Sequence, residues 1–186
     1  MKHVLTRILF AAVLALWNAS PVWAGYDEGM AAYERGDYAT AFEEWLPIAE
    51  QGDAFAQTAL GGLYYYGDGV PQDYVEAVKW YRLSADQGGA SAQYNLGLMY
   101  DNGEGVAQDY AEAVKWYRLA AAQGDADAQN NLGVMYKNGQ GVAQDYAEAV
   151  KWYRLAAAQV GAPGKYDLSM SVRNAPGAAQ SIDDGR

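Results

Sequence analysis

The sequence has no cysteine, and its one histidine is His3. Without a thiol there is no disulfide, no thiolate nucleophile and no cysteine zinc site. Beyond His3 there is no imidazole to act as general base or metal ligand. Neither G-x-S-x-G nor S-x-x-K occurs, and no G-x-x-x-x-G-K-[ST] loop is present to cradle a phosphate. No catalytic residue, cofactor or metal is therefore expected, and the chain reads as a binding protein and not an enzyme.

Long apolar runs are also missing. The longest opens the chain, where Lys2 and Arg7 precede the ten apolar positions Ile8 to Trp17, and Val22-Trp23-Ala24 follows. That pattern predicts a signal peptide over 1–24 with Gly25 as the mature N-terminus, because ten residues are too few to span a bilayer. With no cysteine after that point there is no site for a lipid anchor. The mature chain is expected in the periplasm or secreted, without membrane insertion.

Basic residues are few. The chain has 13 Lys and Arg against 23 Asp and Glu; without Lys2 and Arg7 the balance is 11 to 23, a net charge of −12. Such a surface repels nucleic acid and anionic lipid and steers a basic partner inward, while also keeping the protein soluble.

What the chain does have is a repeat of 36 residues. Asp37-Tyr38, Asp73-Tyr74, Asp109-Tyr110 and Asp145-Tyr146 fall into register, and DYAEAVKWYRLAAAQ recurs unchanged from 109 and from 145. Gly61, Gly97 and Gly133 align, as do Tyr64, Tyr100 and Tyr136. A period of that length marks a solenoid whose units bury their apolar faces on one another.

Each period holds two helical patterns. Tyr74, Ala77, Val78, Tyr81 and Ala85 form one apolar stripe; Asp73 is placed as N-cap, Glu76 completes a capping-box-like pair, and Gly88 ends the helix. The second pattern carries Ala92, Leu96, Met99 and Tyr100 and ends in the turn Asn102 to Val106. Gly97 lies inside that helix at a cost of about 1 kcal/mol against Ala. Its recurrence predicts a close helix contact that a Cβ would block, served from the other side by Ala77, Ala113 and Ala149. The expected helices are 26–35, 38–51, 53–66, 73–87, 89–102, 109–123, 125–138 and 145–159.

The run AQYNLGLMYDNGEGVAQDYAEAVKWYRLAAAQG, Ala92 to Gly124, resembles a Sel1-like repeat, a longer relative of the tetratricopeptide repeat. GMAAYERGDYATAFEEW, Gly29 to Trp45, resembles an ordinary tetratricopeptide hairpin. The resemblance implies an all-α, right-handed solenoid of about four antiparallel hairpins: 25–52, then repeats 53–88, 89–124 and 125–159. It also implies a concave face lined by the first helix of each hairpin, and a scaffold role in envelope assembly, signalling regulation or host contact. Some cysteine-rich relatives are linked to β-lactam hydrolysis; this chain lacks both the cysteines and a serine–lysine pair, so that activity is not carried over.

Two recurring features admit a sharper reading. Asp101, Asp109 and Glu112 sit at calcium-loop positions 1, 9 and 12, but Gly103 and Gly105 supply no ligand oxygen at positions 3 and 5. In the KWYR ladder, Glu76, Glu112 and Glu148 lie three residues before Lys79, Lys115 and Lys151, which suits ion pairs on a solvated helix face. The ladder, with Arg82, Arg118 and Arg154, could instead dock an acidic ligand.

Partner-binding residues should face the concave side and vary between copies. In tetratricopeptide phase these are Tyr33, then Phe55, Thr58, Tyr65 and Tyr66, then Tyr94, Asn95, Leu98 and Asp101, and finally Asn130, Asn131, Val134 and Lys137. Tyrosines anchor interfaces well, and Asn95 and Asn131 could bond a peptide backbone, although tyrosine could equally extend the core. A protein or peptide partner is the first reading. The alternative is a cell-envelope enzyme or a carbohydrate-binding protein acting on wall material through aromatics and carboxylates. Residues 160–186 read as a disordered tail. The end at 145–159 has no capping helix, so the tail folding back or a homodimer through the C-terminal end would each cover it.

Overall fold

The computed structural model describes residues 22–160. Among them are eight α-helices: α1 Val22–Glu34, α2 Tyr38–Glu50, α3 Ala54–Tyr66, α4 Tyr74–Asp86, α5 Ala90–Asn102, α6 Tyr110–Ala122, α7 Ala126–Asn138 and α8 Tyr146–Val160. No strand occurs among the described residues. The fold is an all-α repeat solenoid in which α1–α2, α3–α4, α5–α6 and α7–α8 pair as hairpins and each hairpin packs on the next. α1 begins ahead of its expected start at 26 and runs across the expected cleavage point. The rest of the expected signal segment, and the tail beyond 160, lie outside the described residues.

Aspartate carboxylates start most of the helices, whereas α5 follows Gly89 with no side-chain cap. Asp53 accepts from Ala56 N at 2.8 Å, Asp125 from Ala128 N at 2.7 Å, and Asp73 from Val75 N and Glu76 N at 2.9 and 3.1 Å. Such a cap contributes about 1 kcal/mol by satisfying donors that the helix leaves open. The reciprocal half of the expected capping box does not form. Glu76 pairs with Lys79, and the Asp73 amide donates to Tyr64 O at 2.9 Å. Asp109 and Asp145 repeat this with Tyr100 O and Tyr136 O, so each long loop is tied to the end of the helix before it.

The core follows the expected stripes. Ala77, Val78, Tyr81 and Ala85 are buried, as are Ala92, Leu96 and Met99, and Ala113 and Ala149 are buried like Ala77. Gly97 meets the neighbouring helix as the recurrence requires: a Cβ there would stand 2.6 Å from the Tyr117 ring. Gly61 lies equally close to Tyr81, and Gly133 to Tyr153. Gly29 occupies the same place against Trp45, because the loop of the first hairpin is shorter. Gly105, at φ 67°, rests on the start of α4, with a would-be Cβ 2.2 Å from Tyr74 O; this turn locks one hairpin onto the preceding one.

A second device escaped the sequence reading. Gln57, Gln93 and Gln129 are buried, and their amides donate to Ala49 O, Ala85 O and Ala121 O at 3.0–3.1 Å. Their own oxygens accept from Gln87, Gln123 and Gln159 at 2.7, 2.8 and 3.1 Å. The bonds to Ala49, Ala85 and Ala121 tie each hairpin to the one before it, the glutamine pairs brace the two helices of one hairpin, and together they keep these buried amides bonded.

Candidate partner-binding face

The first helices α3, α5 and α7 carry most of the expected partner-binding residues, and the structure sorts them into three groups. Tyr33 and Phe55 belong to the N-terminal core. Tyr33 lies 5.1 Å from Tyr38 and 5.7 Å from Trp45, and Phe55 lies 4.8 Å from Tyr26 and 6.2 Å from Trp45, all between ring centroids. Both keep a partly open edge.

The second group forms a polar cluster where α5, α6 and α7 meet. Tyr94 lies 6.0 Å from Tyr117, and Tyr117 Oη donates to Asp101 Oδ2 at 3.2 Å. Asn131 lies beside both tyrosines and opposes the rise in their pKa. Burial raises the pKa of Asp101, against the pull of the Tyr117 hydroxyl, and burial likewise raises both tyrosines. Asn95, by contrast, is only 7% exposed, so it cannot offer an open amide to a partner's surface without a segment entering the groove.

The third group is open. Tyr66 is 43% exposed and stands 5.0 Å from Tyr65, whose Oη donates to Glu104 Oε2 at 3.0 Å. Burial and the nearby Tyr33 and Asp68 push Tyr66 up to about 12. Leu98 is half-buried, while Asn130, Val134 and Lys137 are exposed. Thr58 donates to Ala54 O at 2.9 Å or shares a proton with Ser84 Oγ at 2.7 Å. It lines a cavity of about 230 Å³ with Ala54, Phe55, Ala59, Ser84, Gly89, Ala90 and Ser91.

The KWYR ladder lies on the second helices; its Tyr81 and Tyr117 pack toward the first helices, while its lysines are exposed. Lys79, Lys115 and Lys151 pair with Glu76, Glu112 and Glu148. Arg82 bonds Tyr100 Oη and lies over Trp116, and Arg118 donates to Tyr136 Oη at 2.7 Å. These bases are committed within the fold, which favours the solvated-face reading. Among the described residues no three His, Cys, Asp or Glu side chains converge as a metal site, and no helix is long and apolar enough to cross a membrane.

The repeating hairpin has a known counterpart. The Sel1 repeat model matches residues 54–89, 90–125 and 126–160, more than half of the chain. The chain belongs to the Sel1 repeat family. A protective antigen of uropathogenic Escherichia coli strains, displaying an SLR fold, matches with a TM-score of 0.72 and 40% identity over 80% of this chain and 33% of that one. A Sel1 repeat protein from Oxalobacter formigenes matches with a TM-score of 0.67 and 40% identity over 70% of this chain and 54% of that one. The chain thus spans a third of the first and about half of the second. Cysteine-rich protein B of Helicobacter pylori, 22% identical over 66% of this chain and 87% of that one with a TM-score of 0.51, shares the fold. No curated protein matches the sequence. Sel1 repeats are commonly protein-interaction scaffolds, and each matched repeat begins on the first residue of a hairpin, Ala54, Ala90 and Ala126.

Proposed function

We propose that this Sel1 protein is an exported scaffold that captures a protein or peptide partner on the face of α3, α5 and α7. One observation carries the reading. Of the positions that differ between copies, Tyr66 and Val134 stand open on these helices, and Thr58 lines a cavity of about 230 Å³. Exposed aromatic side chains beside a preformed cavity are the usual anchors of an interface. The first half of the face is aromatic and the second more polar, so one partner would meet both chemistries along its length.

The alternative, an envelope enzyme or carbohydrate binder, draws on carboxylates. Asp53, Asp73, Asp109 and Asp125 cap helices, and Glu76, Glu112 and Glu148 hold lysines. Scaffold capture therefore has the better support.

Crosslinking the full chain in a periplasmic extract, with mass spectrometry of the adducts, tests the reading. Tyr66→Ala with Val134→Ala should keep its helicity and lose the adducts that the unmodified chain forms. Equal capture by this folded variant would move the interface elsewhere.

A further inference from the structure

One helical stripe of α8 is bare. Tyr146 is 63% exposed where Tyr74 and Tyr110 are half-buried, and Val150 and Ala157 are exposed where Val78, Val114, Ala85 and Ala121 are buried. Spaced by four and then seven residues, these three positions share one face. Leu155, on the opposite face, is no barer than its counterparts: it is 50% exposed, against 49% for Leu83 and 48% for Leu119. In the earlier copies the stripe packs with the first helix of the next repeat, Val78 with Leu96 and Met99, and Val114 with Leu132 and Met135.

Each such repeat also reaches back with polar and backbone contacts. Gln93 and Gln129 donate to Ala85 O and Ala121 O at 3.1 Å. Gly105 and Gly141, at φ 67° and 68°, rest on the start of the preceding second helix, where a Cβ would stand 2.2 Å from Tyr74 O or Tyr110 O. Gln108 and Gln144 close that loop by donating to Asp101 O and Lys137 O at 2.6 and 2.9 Å.

The sequence beyond 160 keeps these positions in the 36-residue register. Ala162 falls on Ala90 and Ala126, which open α5 and α7, and Leu168 falls on Leu96 and Leu132. Gly177 falls on Gly105 and Gly141, and Gln180 on Gln108 and Gln144. Lys165, whose amine is a donor, takes the place of Gln93 and Gln129. Three positions depart. Val160 replaces Gly88 and Gly124, at φ 95° and 92°, and Ala175 replaces Gly103 and Gly139, at φ 75° and 70°. Both substitutions disfavour a left-handed turn, and Ser171 replaces the buried Met99 and Met135. We propose that residues 162–181 dock on α8 as the first helix and loop of a further, degenerate repeat, with Leu168 over Val150 and Gly177 against Tyr146 O. Nearest-neighbour packing is what a solenoid needs at this face, and the chain's own next residues carry the side chains that supply it. The lost turn glycines and the serine make this cover weaker than the contacts between the earlier repeats.

Thiol labelling tests it, since the chain has no cysteine of its own. Left uncovered, positions 150 and 155 are almost equally open, at 45% and 50%. In the full chain, Val150→Cys should nevertheless react with a maleimide at least tenfold more slowly than Leu155→Cys. Adding Leu168→Asp should bring the two rates together, while the Leu155→Cys rate stays constant and so reports an intact fold. Adding Val160→Gly, which restores the turn residue of the earlier copies, should slow labelling at 150 further. Equal rates at the two positions without any change in the tail would overturn the proposal. Protection that survives Leu168→Asp would overturn it too, by placing another segment over the stripe. So would protection that fades on dilution, which would place a second copy there.

Discussion

Gly97 of α5 lies against the ring of Tyr117 of α6, so close that a Cβ would stand 2.6 Å from Cδ1. Gly97→Leu should destabilise the fold by about 1–3 kcal/mol, since the strain of overpacking exceeds the gain in helix propensity. Chemical denaturation would measure it. Adding Tyr117→Leu should recover part of the loss, because the smaller side chain can give way. An unchanged midpoint for Gly97→Leu alone would mean that the ring moves aside at no cost.

Asp101 and Tyr117 make a second prediction, about pH. Burial raises the Asp101 pKa in the folded protein, so its charge costs stability above that pKa and the cost vanishes as the pH falls through it. Asp101→Asn keeps an acceptor for the Tyr117 hydroxyl without the charge. The variant should melt at or above the unmodified protein near neutral pH, with the difference shrinking on acidification through the carboxylate range. A lower Tm for the variant at neutral pH would show that the charged form is the stabilising one.

The last helix leads to a third. Val150 is 45% exposed, whereas its counterparts Val78 and Val114 are 7% and 1% exposed, because among the described residues no further hairpin packs on α8. An uncovered apolar end of a solenoid associates with whatever apolar surface is available. Removing residues 161–186 should lower the Tm and raise the sedimentation coefficient with concentration. A truncated chain that stays monomeric with an unchanged Tm would show that the tail covers nothing and that the bare face is tolerated.

Export supplies a fourth. Protein recovered from the periplasm or medium of an expressing bacterium should begin at Gly25 by intact mass. A chain that retains Met1 in the soluble cytoplasmic fraction would remove the signal-peptide expectation and with it the proposed location.

Several structural features were legible before any coordinates. The 36-residue period places like beside like, so a residue that recurs must meet the same neighbour each time, and Gly61, Gly97 and Gly133 had to face something close. Asp73 and its counterparts could be read as caps because capping is a local contact within one turn. The aromatic ring beneath each glycine could not be named, since Tyr81, Tyr117 and Tyr153 lie twenty residues on and only the hairpin brings them round.

The candidate face divides the same way. Sequence alone determined the helical class, the repeat boundaries and which positions differ between copies, because periodicity, capping and composition are properties of the chain. Tertiary structure alone decided that Gln57 bonds Ala49 of the preceding hairpin, that Tyr33 and Phe55 serve the core, and that Asn95 is buried. It also decided that the Tyr117 hydroxyl donates to Asp101. Hydrogen bonding and cavity volume at one point depend on side chains from several helices at once, as where Thr58, Ser84 and Ser91 line one cavity from α3, α4 and α5.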